Sequence, residues 1–263
     1  MISFDFTSLT VFLNTYPPEV IGIMSFAFCI ISIFVLFHFF KEQGLVLYAV
    51  IALIAANIQV LKAAQYSFYS YPIVLGTLAF STTFLVMDIL TEWYGAGAAR
   101  RAIWLSFSGC LLIMGFMFLT LSVSPLQLAL ESPDAHFNCA HNAIATLFSP
   151  TPAIFTASLI SYVISQYSDV GIYQWIKKLT YHQALWLRTS ISNVIASLID
   201  TIIFSTLAWV IFAPHPLDFD TLVYTYMLGT YGFRLIVLLM NIPVMYVFRR
   251  YAQPKVTPNV SLS

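Results

Sequence analysis

Three apolar stretches of this sequence each contain an acidic residue with a second polar residue three or four positions away. The pairs are Asp88 with Glu92, Gln166 with Asp169, and Ser197 with Asp200. Residues at this spacing share one face of a helix. A carboxylate beside an amide or hydroxyl can accept several N–H hydrogen bonds, which suits the donor edge of a planar, purine-like ligand. Carboxylates in such positions can equally bind a cation or relay protons.

Further polar residues lie at or within apolar runs and extend this set. They are Asn57, Gln59, Lys62, Arg234 and Asn241. An ionisable group at the centre of a bilayer costs about 2.5–3.5 kcal/mol on insertion scales, so such residues usually face the bundle interior and pair. Any one of them can be structural, because acid–base pairs and amide hydrogen bonds also hold helices together. The set as a whole favours a path for a ligand through the bundle, since helix packing alone rarely needs so many buried polar residues.

The composition identifies the elements that must position these residues. Of the 263 residues, 60% are hydrophobic and only 8% are charged, whereas soluble domains carry about 25% charged residues. This excludes a soluble globular domain, and the equal numbers of basic and acidic residues, 11 of each, leave no basic stripe for nucleic acid. The sequence therefore predicts an all-α, polytopic transmembrane helix bundle that forms one integral domain over residues 1–263.

Seven apolar runs approach the length of roughly 20 residues that a membrane-crossing helix needs. The predicted spans are residues 19–40, 45–62, 72–90, 102–124, 152–176, 185–213 and 222–248. The connecting segments alternate in charge: nine of the 11 basic residues lie in alternate links and the C-terminal tail, and the intervening segments contain no lysine or arginine. The positive-inside rule then places the N-terminus outside and the C-terminus in the cytoplasm.

Several motifs in this order resemble a known family. The stretch MDILTEWYGAGAARRAIW (87–104) is similar to the D-I-L-T-E-x-Y-G-x-x-x-A-R-R signature of the YhhQ-type queuosine precursor transporters, within the vitamin uptake transporter group. Three more segments agree, and they are ANIQVLK (56–62), ISQYSDVGIYQWIKK (164–178) and LWLRTSISNVIASLIDTIIF (185–204). The resemblance covers the chain from about residue 50 to its end.

The resemblance implies a bacterial inner-membrane importer of 7-deazaguanine compounds, the precursors of the modified tRNA nucleoside queuosine. It also implies a six-helix core at about residues 45–248, to which the span at 19–40 is an addition. The family's polar positions fall on Asn57, Lys62, Asp88, Glu92, Arg100, Gln166, Asp169, Arg188 and Asp200. Two positions depart from the pattern: Ser197 stands where the family usually has an amide, and Arg234 where it usually has lysine.

The sequence thus predicts a set of substrate-binding residues, with Asp169 and Asp200 as the first candidates for the donor edge of the ligand. The set is Asn57, Lys62, Asp88, Glu92, Gln166, Asp169, Ser197, Asp200 and Arg234. We expect no catalytic residue, metal or cofactor. The partners expected are the small 7-deazaguanine substrate and the lipid bilayer, without nucleic acid. The chain lacks a G-x-x-x-x-G-K-S/T pattern, so it carries no P-loop ATPase of its own.

Two transport mechanisms remain open from the sequence. The protein acts alone as a carrier, with proton coupling through Asp88, Asp169 or Asp200 as one option, or it is a binding subunit that needs a separate ATPase module. Two other classes of protein compete with transport. A membrane-embedded enzyme predicts chemical conversion of the ligand, and a structural scaffold predicts that the buried acids affect stability alone.

Overall fold

A computed structural model of the chain describes residues 6–126, 136–148, 151–181, 183–213 and 216–252. These residues are almost entirely helical, apart from one two-stranded antiparallel hairpin. The elements are α1 (Phe6–Leu13), α2 (Pro18–Gln59), β1 (Ala63–Ala64), β2 (Ile73–Val74), α3 (Gly76–Trp93), α4 (Ala96–Ser122), α5 (His136–Phe148), α6 (Thr151–Leu179), α7 (Leu185–Thr206), α8 (Phe219–Thr221) and α9 (Gly229–Ala252). Two π-helical segments, Leu207–Ile211 and Leu222–Leu228, follow α7 and precede α9.

Helix α2 is a hairpin of two helical halves that meet at Lys41, whose backbone angles (φ 53°, ψ −126°) are not helical. A straight helix of 42 residues would be about 63 Å long. The backbone N–H of Ser67, only eight residues beyond the end of α2, nevertheless donates to the Glu19 carboxylate at its start (2.6 Å). Eight residues span at most about 28 Å, so the two halves must run antiparallel. They correspond to the first two predicted spans.

Helix α3 is the centre of the bundle. It packs against α2, α4, α6, α7 and α9, and 16 of its 18 residues are buried. Threonine, serine and acidic residues are frequent along it, so its surface would be costly against lipid but can pair with the helices around it. The sequence predicts this element as the span 72–90, and the structure places it at Gly76–Trp93.

Among the described residues, four helical stretches are long and apolar enough to cross a membrane, or five if the bent pair α5–α6 forms one span. The four are α2, α4, α7 with its π-helical segment, and the stretch from α8 to α9. Helix α3 is not among them, and α2 is counted once although it folds back on itself. The all-α membrane architecture is confirmed, whereas the number of seven spans stays a prediction. Between the predicted spans 102–124 and 152–176 lies helix α5, which the sequence did not predict.

The helix ends that carry basic residues meet at one end of the bundle. Arg101 pairs with Glu42 just after the α2 turn (3.0 Å), and Phe248 packs on Phe37 and Trp93 near the same end. The β-hairpin and the residues before α9 lie at the opposite end, where the Tyr69 hydroxyl donates to the carbonyl oxygen of Tyr224 (2.6 Å). The charge asymmetry therefore has a structural counterpart, and the membrane side that each end faces stays a prediction.

The α2 turn depends on a glycine at position 44. A Cβ atom at Gly44 would lie 2.2 Å from the carbonyl oxygen of Leu36 in the opposite half of the hairpin. We expect Gly44→Ala to lower the stability by about 2 kcal/mol or more, because the clash is with backbone that cannot rotate away. The measurement is thermal unfolding of the purified protein in detergent.

Gly115→Ala in α4 is the matched control for Gly44→Ala, because a Cβ at Gly115 meets no atom within 4 Å. Alanine is the better helix former, so this control should be neutral or slightly stabilising. Equal melting temperatures for the two variants would contradict the close approach in the hairpin.

Candidate functional site

A cleft enters the bundle from the end that holds the β-hairpin. Its empty volume is about 610 Å³, including the part open to solvent. Residues of α2, α3, α6, α7 and α9 and both π-helical segments line it. Three of the predicted binding residues meet there, and they are Asn57, Asp200 and Arg234. The cleft therefore combines an amide, a carboxylate and a guanidinium from three different helices.

The polar centre of the cleft is the ion pair between Asp200 of α7 and Arg234 of α9. The Arg234 guanidinium donates to one Asp200 carboxylate oxygen, and the Ser165 hydroxyl donates to the other (3.3 Å). Asp200 is 1% exposed and Arg234 6%. The Nε atom of Arg234 has no hydrogen-bond partner within the described residues. A buried donor without a partner is costly, so this guanidinium still has a donor to offer a ligand.

Aromatic rings form the walls of the cleft. Phe80 of α3 lies under the Arg234 guanidinium, 4.7 Å from the ring centroid. Trp209 and Tyr226 lie close together, with their centroids 4.8 Å apart and their planes at 39°. Each of these two residues belongs to a π-helical segment, and such segments frequently occur at functional sites. Flat aromatic surfaces beside a charged pair suit a planar, polar ligand.

A second polar layer lies deeper in the bundle and does not line the cleft. The Asn193 side-chain amide donates to Asp88 (2.9 Å), and the Gln166 amide donates to the Thr83 hydroxyl (3.0 Å). Asp169 interacts electrostatically with Asp88, and both acids are fully buried. The sequence correctly predicted that these faces point into the bundle. Asp169, a first candidate for the ligand edge, lies in this layer rather than beside Asp200.

A third layer closes the basic end of the bundle around Glu92. Its carboxylate accepts from Arg188 (2.7 Å) and lies 2.9 Å from the Lys177 ammonium. The Tyr173 hydroxyl donates to the same carboxylate (3.0 Å) and accepts from Arg188 Nε (3.2 Å). Because α3, α6 and α7 each contribute to this cluster, we call it the Glu92 clasp, made of Glu92, Tyr173, Lys177 and Arg188.

The remaining predicted residues do not line the cleft. Lys62 was expected to belong to the buried set, but its side chain is exposed, because α2 ends at Gln59 and the chain turns into the hairpin. Ser197 is buried and donates to the Val194 carbonyl oxygen of its own helix (3.1 Å), away from the cleft. Arg100 is exposed at the basic end. Asn241 donates weakly to the Ser81 carbonyl oxygen (3.4 Å).

Sequence reasoning missed Asn193, Trp209 and Tyr226. Asn193 lies four residues before Ser197, and hence on the face that carries Asp200, so the spacing rule could have found it. Trp209 and Tyr226 give no comparable signal, because aromatic residues make up 16% of the chain.

Comparison with known proteins gives two matches. A family model described as "Putative vitamin uptake transporter" matches residues 74–248. A protein of Bacillus subtilis (strain 168), described as "Probable queuosine precursor transporter", is 30% identical over 236 residues, which cover 88% of this chain and 94% of that protein. No solved structure matches the chain.

The Glu92 clasp should matter for stability. We expect Glu92→Gln to lower the free energy of unfolding by about 3 kcal/mol, because it leaves the buried Arg188 guanidinium without its counter-charge. Glu42→Gln is the matched control: it removes the exposed pair with Arg101, which is worth about 1 kcal/mol or less. Thermal unfolding in detergent measures both variants, and a Glu92→Gln effect no larger than the control would contradict the clasp.

Proposed function

The chain belongs to the vitamin uptake transporter family, and from this premise we propose that it imports 7-deazaguanine precursors of queuosine across the cytoplasmic membrane of a bacterium. A multi-pass membrane transporter is what the family and the apolar helices establish. The named substrate rests on the description of the Bacillus relative and on the chemistry of the cleft. The observation that carries the proposal is the buried Asp200–Arg234 pair at an aromatic-walled cleft.

The cleft offers complementary partners to a 7-deazaguanine ring. The ring N–H and amino group of a guanine-like edge are donors, which the Asp200 carboxylate accepts in our proposal. The free Nε donor of Arg234 serves the adjacent ring carbonyl. Asn57 donates its amide nitrogen to the Leu53 carbonyl oxygen (2.9 Å), so its own carbonyl oxygen is the part left to accept from a ligand. The ring plane stacks against Trp209 and Tyr226.

The position of the cleft supports import. It opens at the hairpin end of the bundle, where Lys62 is the one basic residue of the described loops, and the Glu92 clasp closes the opposite end, which carries the other basic loop residues. If the basic end faces the cytoplasm, as the positive-inside rule predicts, the structure is open to the outside. We propose seven spans, with the two halves of α2 as the first two and α3 as an enclosed third.

We propose that the protein acts alone rather than as the binding subunit of an ATP-driven complex. Reconstituted vesicles that contain only this chain test the point. Uptake of labelled precursor into these vesicles without ATP supports a lone carrier, and uptake that requires an added ATPase module overturns it. Recovery of the ligand chemically unchanged after uptake argues against a membrane-embedded enzyme.

The physiological test uses cells that cannot make the precursor. We expect deletion of the gene to abolish the appearance of queuosine in tRNA when precursor is added at limiting concentration. Reintroduction of the intact gene should restore the modification. Normal modification in the deleted strain would overturn the proposed substrate.

Substitutions of single cleft residues test the proposed binding site. We expect Asp200→Asn to weaken precursor uptake by about 10- to 100-fold, because it replaces a charged acceptor, worth about 1.5–3 kcal/mol, with a neutral amide. Asp220→Asn is the matched control, since this acid is exposed beyond the mouth of the cleft. The measurement is the concentration dependence of uptake.

Asp200→Asn also leaves Arg234 without its counter-charge, so membrane abundance must be measured with uptake. Asn57→Ala gives an independent check because it leaves the ion pair intact, and we expect it to lower affinity at normal abundance. A scaffold role predicts instead that each variant changes abundance alone. Unchanged uptake by both variants would remove the cleft from the proposed site.

A further inference from the structure

Two buried carboxyl groups between the cleft and the Glu92 clasp have fewer partners than their burial requires. Asp88 of α3 and Asp169 of α6 are both 0% exposed. One Asp88 oxygen accepts from Asn193, but the other has no hydrogen-bond partner in the described part of the chain. Both Asp169 oxygens are likewise without a partner there. Two carboxylates that are fully buried and interact electrostatically cannot both stay ionised without a compensating cation.

The basic residues nearby are already engaged elsewhere. Arg188 and Glu92 both act electrostatically on Asp88, but Arg188 donates to Glu92, to Tyr173 and to the carbonyl oxygen of Gln183 (2.8 Å). Lys177 is bound to Glu92. Three carboxylates therefore face two cations in this part of the described bundle, which leaves one negative charge. A single monovalent cation restores neutrality.

Two neutral side chains beside these acids also have oxygen atoms that lack partners among the described residues. The amide nitrogen of Asn193 donates to Asp88, whereas its carbonyl oxygen has no partner among the described residues. The Ser192 hydroxyl adjoins Asp169 without completing a hydrogen bond. Both side chains are at most 1% exposed. Buried polar atoms are normally satisfied, so these oxygens indicate a bound species rather than an apolar void.

We infer that Asp88, Asp169, Ser192 and Asn193 form a site for one monovalent cation, a proton or Na⁺, separate from the substrate cleft. None of these residues lines the cleft, and Asp88 lies eight residues beyond Phe80, about 12 Å along α3. The site's role in transport rests on the proposed function. There it supplies the coupling ion whose downhill movement drives accumulation of the substrate.

The cation site is also linked electrostatically to the Glu92 clasp, through Arg188. Glu92 follows Asp88 by one helical turn and therefore lies on the same face of α3, and both carboxylates interact with Arg188. An occupied cation site removes one of the two negative charges of the acid pair, the surplus positive charge of the Glu92 clasp balances the other, and Arg188 stays bound to Glu92, as in this structure. An empty site exposes a negative charge that competes with Glu92 for Arg188. Release of the cation therefore loosens the clasp, which closes the basic end.

The first test needs no substrate. Thermal unfolding of the full chain in detergent is compared for the wild type and Asp169→Asn across acidic to alkaline buffers, with and without Na⁺. For a proton, the wild type gains stability relative to Asp169→Asn as the pH falls, regardless of Na⁺. For Na⁺, the wild type gains a shift of several degrees on addition of the ion, and Asp169→Asn does not. Asp220→Asn is the control and should follow the wild type.

Parallel curves for the wild type and Asp169→Asn under every condition would overturn the cation site. If Asp169→Asn proves too unstable to purify, Ser192→Ala serves as the second variant. It removes one oxygen and leaves both acids, so it should weaken the Na⁺ response or shift the pH at which the stability changes. An unaltered response in Ser192→Ala would remove that residue from the site.

The second test uses reconstituted vesicles and labelled 7-deazaguanine precursor. With one cation per substrate, a tenfold inward gradient of the cation drives about tenfold accumulation in the wild type. Asp169→Asn should lose this accumulation but keep exchange of external for internal substrate, because the cleft is intact. Undiminished accumulation by Asp169→Asn overturns the coupling and leaves the proposed function standing. If the wild type neither accumulates nor exchanges the precursor, the proposed function is wrong. The unfolding experiment still tests the cation site independently.

Discussion

The polar side chains on helix α3 set the constraint on which the rest of this structure depends. A bilayer offers them no hydrogen-bond partners, so each must bond to its own helix, as the Ser81 hydroxyl does, or to a neighbouring helix. The helices around α3 accordingly carry matched groups at two depths: Asn193 donates to Asp88, and Arg188 donates to Glu92. The enclosure of α3 follows from these pairings, and the apolar faces of the outer helices remain for the lipid.

The three layers differ in how completely they are satisfied, and this difference separates structure from function. The Glu92 clasp is complete, with two cations and a hydroxyl on one carboxylate. The cleft layer is paired through Asp200 and Arg234 but leaves a donor free at Nε. The middle layer leaves carboxylate oxygens without partners among the described residues. In our proposals, a bound substrate and a bound cation supply the partners that the two incomplete layers lack.

The arrangement also relates the two ends of the molecule. The cleft is open where the hairpin and the π-helical segments lie, and the clasp holds α3, α6 and α7 together at the other end. In the carrier that we propose, one end opens as the other closes. An electrostatic tie of a few side chains is suited to this role, because a change of one charge beside it alters its strength without repacking the core. The Asp200–Arg234 pair is in contact with the cleft and cannot open without affecting a bound ligand.

The sequence by itself determined the class of protein, the helical stretches, the alternation of basic ends and the family motifs, because these depend on composition and local periodicity. It also placed most candidate polar residues on interior faces, since three- and four-residue spacing defines a face. It did not determine which helix each face meets or at what depth. Asp88 and Glu92 share a face, yet Asp88 binds Asn193 and Glu92 binds Arg188. Asp169 lies apart from Asp200, and Lys62 is exposed outside the bundle. Only tertiary packing decides such partners, because the turn of α2 at Lys41 and the depth of each helix are set by contacts between distant segments.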